Sequence, residues 1–452
     1  MALWRTLACL LVAVAASDGA TYDYADAIKK SILFYQAQRS GRLSGMDSLV
    51  SWRKDSCLTD QGWNGEDLTQ GYFDAGDYVK FTFPLSFALT MLSWGAIEYE
   101  QGYTQAGAMD GVRDTIKWGT DWLLKAHTGP NEIYLQVGNG TADHAYWGRP
   151  EDINFPRPAY RLDTERPGSD CAGEAAAALA SASIVFSSVD ATYSATLLNA
   201  AKELIAFADN YRGRSVDSVP DTAEFYASSS YDDELVWGYT WLYKATNDQT
   251  YLQRVYALIQ EFNLQFVSSL SWDQKTIGTF ALLADMTGNQ EYKTQLEYHC
   301  WHMAKEQQRT PKGLLVIGDW GNMRLVANVL FTCLQAAKLN INADVNKQMV
   351  QEQMGYILGD TGYSYVVGFG SNYPHSPHHR SSSCPDAPAT CDWNFYNSAE
   401  PNAHVLYGAL MGGPDANDAF TDTRTDWAHT EPTLDYNAGF QGVLAAMIQL
   451  GL

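Results

Sequence analysis

The sequence predicts an all-α fold in which about a dozen helices pack as hairpins in a closed double ring. Apolar residues recur at spacings of three and four over thirteen segments, which is the period of a helix that buries one face. These segments follow one another without alternating strands, so consecutive helices are expected to pair. No repeat of fixed length is visible, which argues against an open solenoid and favours the closed ring.

The predicted helices occupy both halves of the chain and are joined by two kinds of loop. Thr246-Asn247-Asp248 and Thr287-Gly288-Asn289 are short turn sequences. The other loops are long, polar and rich in Trp, Tyr, His and Asp, and such loops usually carry function. The predicted segments are 24–39, 86–100, 111–127, 172–186, 192–211, 232–245, 251–266, 275–287, 291–307, 323–339, 345–358, 402–411 and 434–450.

The first residues have the pattern of a signal peptide. Arg5 precedes an apolar run from Leu7, and residues 14–16 are small enough for a signal peptidase. The run is too short to cross a bilayer, and polar residues follow it at once. We therefore predict a signal peptide of residues 1–16, cleaved no later than residue 20, and a secreted protein. Residues 17–452 contain no Pro/Ser/Thr-rich linker and are interpreted as a single domain.

Composition and charge restrict the partners of the protein. The chain is 46% hydrophobic and 18% charged, which is typical of a folded globular protein, and its formal net charge is −22. This charge repels phosphate backbones and anionic lipid, so neither nucleic acid nor a membrane is expected as a partner. An uncharged polymer is the more suitable partner, because the negative charge of the protein does not repel it.

The cysteine content fits an oxidising compartment. Six of the seven cysteines lie beyond the signal peptide, and Cys384 and Cys391 close a short loop that contains Pro385 and Pro388. We predict a disulfide between these two cysteines. The sequence does not decide how the others pair, nor whether the sequon at Asn139 is glycosylated.

Two clusters of acidic residues can carry hydrolytic chemistry. In the first, Asp74 and Asp77 flank Ala75-Gly76, a turn that can aim both carboxylates at one water molecule. An aspartate-rich turn that caps a helix is the alternative. In the second cluster, Glu431 stands among aromatic and acidic residues. Burial and like charges favour its protonated form, which a general acid requires.

A third segment completes a family pattern. It runs from Ser364 through Asn372 to His378 and Arg380. Together with the two acidic clusters, it resembles the signatures of glycoside hydrolase family nine, a family of inverting cellulases with a twelve-helix (α/α)6 barrel. The resemblance extends from about Tyr24 to the C-terminus. It implies a monomeric endo-β-1,4-glucanase, a cellulase that degrades cellulose and related β-glucans.

The resemblance also implies roles for particular residues. Asp77 would be the general base, Asp74 would hold the nucleophilic water, and Glu431 would be the general acid. His378 and Asp422 match functional positions of the family motifs. The substrate-binding residues would be Arg380, Tyr436, Trp320, Arg324 and Trp147. Aromatic rings stack on the apolar faces of glucose, although core packing is the alternative for Trp147, Trp320 and Tyr436.

A calcium site is implied by a further segment. Residues 229–237 resemble the family's structural calcium site, and hard oxygen ligands suit this ion. The chemistry itself would need no cofactor. An ordinary acidic helix start is the alternative. The implied ligands are Ser229, Ser230, Asp233, Glu234 and Asp273.

Two other functions were weighed against the cellulase. An α-glucan hydrolase of the same barrel type would share the carboxylates but not the three motifs. A secreted carbohydrate-binding protein without catalysis would not be expected to keep Asp74, Asp77, His378 and Glu431 together. The preferred β-glucan and the balance between internal and processive cleavage stay open.

Overall fold

A computed structural model of the chain describes residues 22–265 and 269–452, so the predicted signal peptide lies outside the described residues. Within them, twelve helices have twelve or more residues, and six shorter ones lie in the connections. The helices are α1 Tyr24–Ala37, α2 Thr82–Glu98, α3 Glu100–Gln105, α4 Met109–Ala126, α5 Gly140–His144, α6 Ser169–Phe186, α7 Ala191–Asn210, α8 Ser215–Ser218, α9 Asp232–Thr246, α10 Gln249–Glu261, α11 Thr276–Thr287, α12 Gln290–Lys305, α13 Asn322–Lys338, α14 Ala343–Leu358, α15 Arg380–Ser383, α16 Trp393–Tyr396, α17 Trp427–Thr430 and α18 Leu434–Leu450.

The twelve long helices form two concentric rings. Helices α2, α6, α9, α11, α13 and α18 make the inner ring, in which each contacts the next and α18 returns to contact α2. Helices α1, α4, α7, α10, α12 and α14 pack outside them. This arrangement is an (α/α)6 barrel, so the all-α class and the closed double ring are confirmed.

The inner helices can occupy the centre of the barrel because most of their residues, on every face of the helix, can be buried. Residues 82–96 of α2 are all buried, as are nearly all residues of α6, which is rich in alanine and serine. Small side chains let these helices approach closely: a Cβ at Gly173 would lie only 2.9 Å from the carbonyl oxygen of Glu234. The outer helices α4 and α10 instead alternate buried and exposed faces, as amphipathic helices do.

Helix ends follow the predicted turn chemistry. The Asp190 side chain accepts a hydrogen bond from the Tyr193 amide and caps α7. Asn247 and Gly288 terminate α9 and α11 in the left-handed conformation, with φ of 54° and 68°. These are the two short turns identified in the sequence.

Two features differ from the sequence prediction. The segment 402–411 contains no helix, because Gly408 has φ +79° and its Cα packs so tightly on α1 that a Cβ would lie 2.0 Å from the Lys30 carbonyl oxygen. A small antiparallel sheet was not predicted, and its strand order is β1-β2-β3. Its strands are β1 Lys80–Phe81, β2 Ile133–Val137 and β3 Ala159–Leu162.

The described residues contain two disulfides and no helix suited to crossing a membrane. The predicted Cys384–Cys391 bond is confirmed. The second bond joins Cys300 on α12 to Cys333 on α13, and so ties the outer ring to the inner ring. Cys57 and Cys171 are free thiols.

Candidate active site

A cavity of about 570 Å³ lies at the N-terminal ends of the inner helices. The loops that precede α2, α9, α11, α13 and α18 all open onto it, because these helices run in the same direction around the ring. Its wall is acidic and aromatic, and is formed in part by Asp74, Asp77, Glu431, His144, His378, Arg324, Phe81, Phe225, Tyr226, Trp272, Trp320, Trp393, Tyr396, Trp427 and Tyr436.

The loop that carries the two aspartates is held from both sides. The Gln38 side chain donates to the carbonyl oxygen of Ala75 at 2.7 Å, and the Arg380 amide donates to that of Gly76 at 3.1 Å. A Cβ at Gly76 would lie 2.2 Å from the carbonyl oxygen of His378. A glycine is therefore required here for the aspartate loop and the histidine loop to meet.

Asp74 and Asp77 share a site in which one charge is favoured over two. Burial, and then the charge of Asp77, raise the pKa of Asp74 well above its usual range. Burial, and then Asp143, raise the pKa of Asp77 to about 6. Tyr226 donates its hydroxyl proton to Oδ2 of Asp74. The Oδ1 atoms of both aspartates are buried and make no hydrogen bond within the described part of the chain.

Glu431 follows the short helix α17, and its carboxyl group lies beside the loop that carries Asp74 and Asp77. Its Oε1 accepts a hydrogen bond from the Gly76 amide at 3.2 Å, which sets it beside the aspartate loop. Burial, and then the negative charge of Asp77, raise the pKa of Glu431 to about 8. Near neutral pH, Asp77 is therefore ionised while Glu431 keeps its proton.

His378 lines the cavity as a neutral imidazole. Its Nδ1–H donates to the carbonyl oxygen of Arg424 at 2.5 Å, and burial lowers its pKa to about 4. Nε2 is thus the unprotonated nitrogen.

Asp422 does not line the cavity. Its carboxylate accepts hydrogen bonds from the backbone amides of His375 and Ser376, so it shapes the loop that presents His378.

Two of the predicted substrate-binding residues are buried behind the wall. Trp147 is only 3% exposed and packs against Tyr396 and His378, which is the core-packing alternative. Arg380 is 2% exposed and forms an ion pair with Asp143. Neither residue lines the cavity, so each supports residues that do. The burial of Trp147 agrees with the core-packing alternative, and direct sugar contacts of either residue stay a prediction.

The other three predicted binding residues line the cavity. Trp320 is 50% exposed and its ring lies 4.4 Å from that of Trp427. Arg324 is paired with Asp435 at 3.2 Å, and its guanidinium lies over the ring of Tyr436. The rings of Trp320, Trp427 and Tyr436 make one side of the cavity aromatic.

Several residues that line the cavity, and Asp143 behind its wall, escaped the sequence analysis. Tyr226 and Trp272 lie in loops without a motif, and no sequence signal singles them out. Asp143 and His144 stand four and three residues before Trp147, within a run of acidic, basic and aromatic residues that was itself a signal. His144 Nε2 lies 3.8 Å from Oδ2 of Asp77.

The segment implied as a calcium site places Asp233 and Glu234 at the start of α9, and Asp273 in the loop before α11. Oε1 of Glu234 pairs with Lys275 at 2.9 Å, whereas Oε2 is buried and makes no hydrogen bond within the described residues. The charge of Asp233 contributes to the raised pKa of Glu234 after burial. Asp273 accepts from the Ser229 amide at 2.8 Å. An unsatisfied buried oxygen of Glu234 close to the Asp233 carboxylate fits an oxygen-liganded cation.

The arrangement of the cavity defines a class of enzyme. One ionised and one protonated carboxyl group beside an aromatic wall provide what acid–base cleavage of a glycosidic bond requires. A larger surface depression of about 990 Å³ lies around Trp52 and His404 and contains none of these acids. The protein is therefore a glycoside hydrolase, and this cavity is its candidate active site.

Comparison with known proteins agrees with this class. The sequence pattern of glycosyl hydrolase family 9 matches residues 24–444. Endoglucanase B of Cellulomonas fimi is 44% identical over 97% of this chain, which spans 43% of that protein's length. The endoglucanase structure of the termite Nasutitermes takasagoensis is 56% identical with a TM-score of 0.94, covering 96% of this chain and 100% of that one. The cellulase Cel9M of C. cellulolyticum, solved with cellobiose, is 36% identical with a TM-score of 0.89, covering 96% and 100%.

The chain belongs to glycosyl hydrolase family 9. The family, the barrel and the enzyme class predicted from the sequence are confirmed.

Proposed function

We propose that the chain is a secreted, monomeric endo-β-1,4-glucanase that cleaves internal bonds of cellulose and related β-glucans with inversion, through a single domain of residues 17–452. The observation that carries this proposal is the meeting of Asp74, Asp77 and Glu431 in one aromatic cavity, where the Gly76 amide holds Glu431 beside the aspartate loop. The endoglucanases that resemble this chain support the substrate class, and the cellobiose bound to Cel9M supports a β-1,4-glucan.

The proposed reaction has one chemical step. Asp77 takes a proton from a water molecule as the water oxygen attacks the anomeric carbon. Glu431 gives its proton to the glycosidic oxygen as the bond to the anomeric carbon breaks. Asp74 orients the water through Oδ1, because its Oδ2 is occupied by Tyr226. The product carries the α-configuration because water attacks from the face opposite the leaving group.

The surroundings of the acids serve substrate binding. Trp320, Trp427 and Tyr436 offer aromatic faces on which glucose rings can stack. His378 offers Nε2 as an acceptor for a sugar hydroxyl. Within this proposal Arg380 and Trp147 act by positioning the loops around His144 and His378.

Calcium is proposed as a structural ion. Asp233, Glu234 and Asp273 would hold it with the carbonyl oxygens of Ser229 and Ser230, and bound calcium would tie the start of α9 to the loop before α11. None of these residues lines the cavity. The ion would therefore raise folding stability without taking part in the reaction.

The test measures products and stereochemistry together. A rapid fall in the viscosity of carboxymethylcellulose, with mixed oligosaccharides, is expected for internal cleavage, and NMR should detect the α-anomer first. Early cellobiose as the sole product would contradict internal cleavage, and a β-anomer would contradict inversion. The carboxyl groups of Asp77 and Glu431 should stand roughly 6.5 to 9.5 Å apart in the substrate complex.

Variants separate catalysis from sugar binding. Asp77→Ala and Glu431→Gln should each slow turnover by about 10²-fold or more and keep the affinity for cello-oligosaccharides. Glu165→Gln, on an exposed loop, is the matched control and should keep full activity. A protein that binds sugars but shows no turnover before any substitution would be a carbohydrate-binding protein instead.

A further inference from the structure

Asp143 and His144 form a cluster with the base Asp77 that the proposed reaction does not use. One ligand atom from each of the three residues lies within 4.8 Å of those from the other two. Asp77 and Asp143 are buried, whereas the His144 side chain is 46% exposed. An ion that enters the cavity can therefore reach the cluster from the histidine side.

The hydrogen bonds around the cluster leave ligand atoms available. His144 Nδ1 lies 2.9 Å from the carbonyl oxygen of Gly140, which can only accept, so the ring proton is on Nδ1 and Nε2 carries a lone pair. Histidines that bind metals usually have this arrangement. The ring is also fixed by Phe225, whose centroid lies 5.0 Å away.

The two carboxylates each retain an unsatisfied oxygen. Oδ1 of Asp77 and Oδ2 of Asp143 are buried and make no hydrogen bond within the described ranges. Arg380 pairs with Oδ1 of Asp143 and leaves Oδ2 free. Buried oxygens without a donor are rare and demand a partner, which a cation can supply.

We propose that Asp77, Asp143 and His144 form a site for a divalent transition-metal ion such as Zn²⁺, which blocks the base and so inhibits the enzyme reversibly. One imidazole nitrogen and two carboxylates suit zinc, whereas calcium takes six to eight oxygen ligands. The inhibitory effect rests on the proposed role of Asp77 as base. The binding of the ion does not.

The binding test uses the calcium-loaded full chain and Zn²⁺ alone as the probe. Calorimetric titration should give one site, and His144→Gln should weaken it by about 10- to 100-fold. Asp143→Asn is the second variant and should weaken it as well. His302→Gln is the matched control, because His302 is a half-exposed histidine beside Glu306 that does not line the cavity. It should leave the affinity unchanged. Equal Zn²⁺ affinity in the parent chain and in both site variants would overturn the site.

The activity test separates the site from the catalytic proposal. Each variant is compared with its own metal-free rate at one pH. The Zn²⁺ concentration for half-inhibition should rise in His144→Gln by the same factor as the dissociation constant, and a zinc-selective chelator should restore the rate. Zinc that binds as expected without slowing hydrolysis would overturn the inhibitory role and the assignment of Asp77 as base. Zinc binding with no hydrolysis in metal-free protein would overturn the proposed function and leave the site standing.

Discussion

Replacement of the proposed acid by its amide, Glu431→Gln, should slow turnover by about 10²-fold or more and yet stabilise the fold at neutral pH. Burial and Asp77 raise the pKa of Glu431 from 4.5 to about 8. In the unfolded chain the carboxyl group loses its proton near 4.5, whereas the folded protein keeps it up to about 8. The unfolded state therefore binds fewer protons in this window, and stability falls by about 1.4 kcal/mol per pH unit.

The size of this loss of stability follows from the pH range between the unfolded pKa of Glu431, 4.5, and its folded pKa of about 8. At pH 7 the chain is about 2.5 units above the unfolded pKa, so the parent loses about 3 kcal/mol of folding stability relative to pH 4 through this one group. Glutamine has no proton to release, and its carbonyl oxygen can accept the Gly76 hydrogen bond that Glu431 now accepts. The variant should therefore be more stable than the parent by up to about 3 kcal/mol at pH 7 and by almost nothing at pH 4.

Equilibrium urea unfolding at four values between pH 4 and pH 7, with calcium saturating, measures this difference. Glu165→Gln serves as the control, since it makes the same chemical change at an exposed side chain. A stability difference between Glu431→Gln and the parent that stays constant from pH 4 to pH 7 would refute the reasoning. Glu431 would then ionise as an ordinary glutamate and could not be the proton donor at neutral pH.

Three further outcomes test other parts of the site. The pH profile of kcat/KM should be bell-shaped with limbs near 6 and 8, because Asp77 must be ionised and Glu431 protonated; a rate that continues to rise beyond pH 8 would contradict this. Gly76→Ala should lower kcat by about 10-fold or more at unchanged helical content, since its Cβ would press on the backbone of His378; full activity, measured beside circular dichroism, would count against that contact. Chelation should lower the Tm of the parent but not of Asp273→Ala, which already lacks a proposed ligand; calorimetric scans with no shift in the parent would remove the calcium site.

The helices were predictable because the barrel buries them in a regular way. Twelve of the thirteen predicted segments are helices, since apolar spacing of three and four records which faces are buried. The segment 402–411 has the same spacing, but its apolar residues pack in extended and turn conformations around Gly408. Periodicity cannot distinguish these cases, because it reports burial and not backbone conformation.

The site was predictable where chemistry stands in short motifs. Asp74, Asp77, His378 and Glu431 come from three segments and meet at one cavity. The burial of Arg380 was not predictable, because it depends on Asp143, which lies 237 positions away in the sequence. For the same reason Trp147 could not be separated from an exposed sugar-binding tryptophan: its cover comes from residues 393–396.

The hydrogen bond from the Gly76 amide to Glu431 joins residues 355 positions apart. This contact exists only when α18 has docked against α2, so base and acid are brought together by the closure of the whole ring. Closing so long a loop is entropically unfavourable until most of the barrel has formed, and folds with distant contacts form slowly. In a refolding experiment helical signal should therefore return before hydrolysis does. The return of activity would mark the moment at which the first and last inner helices meet.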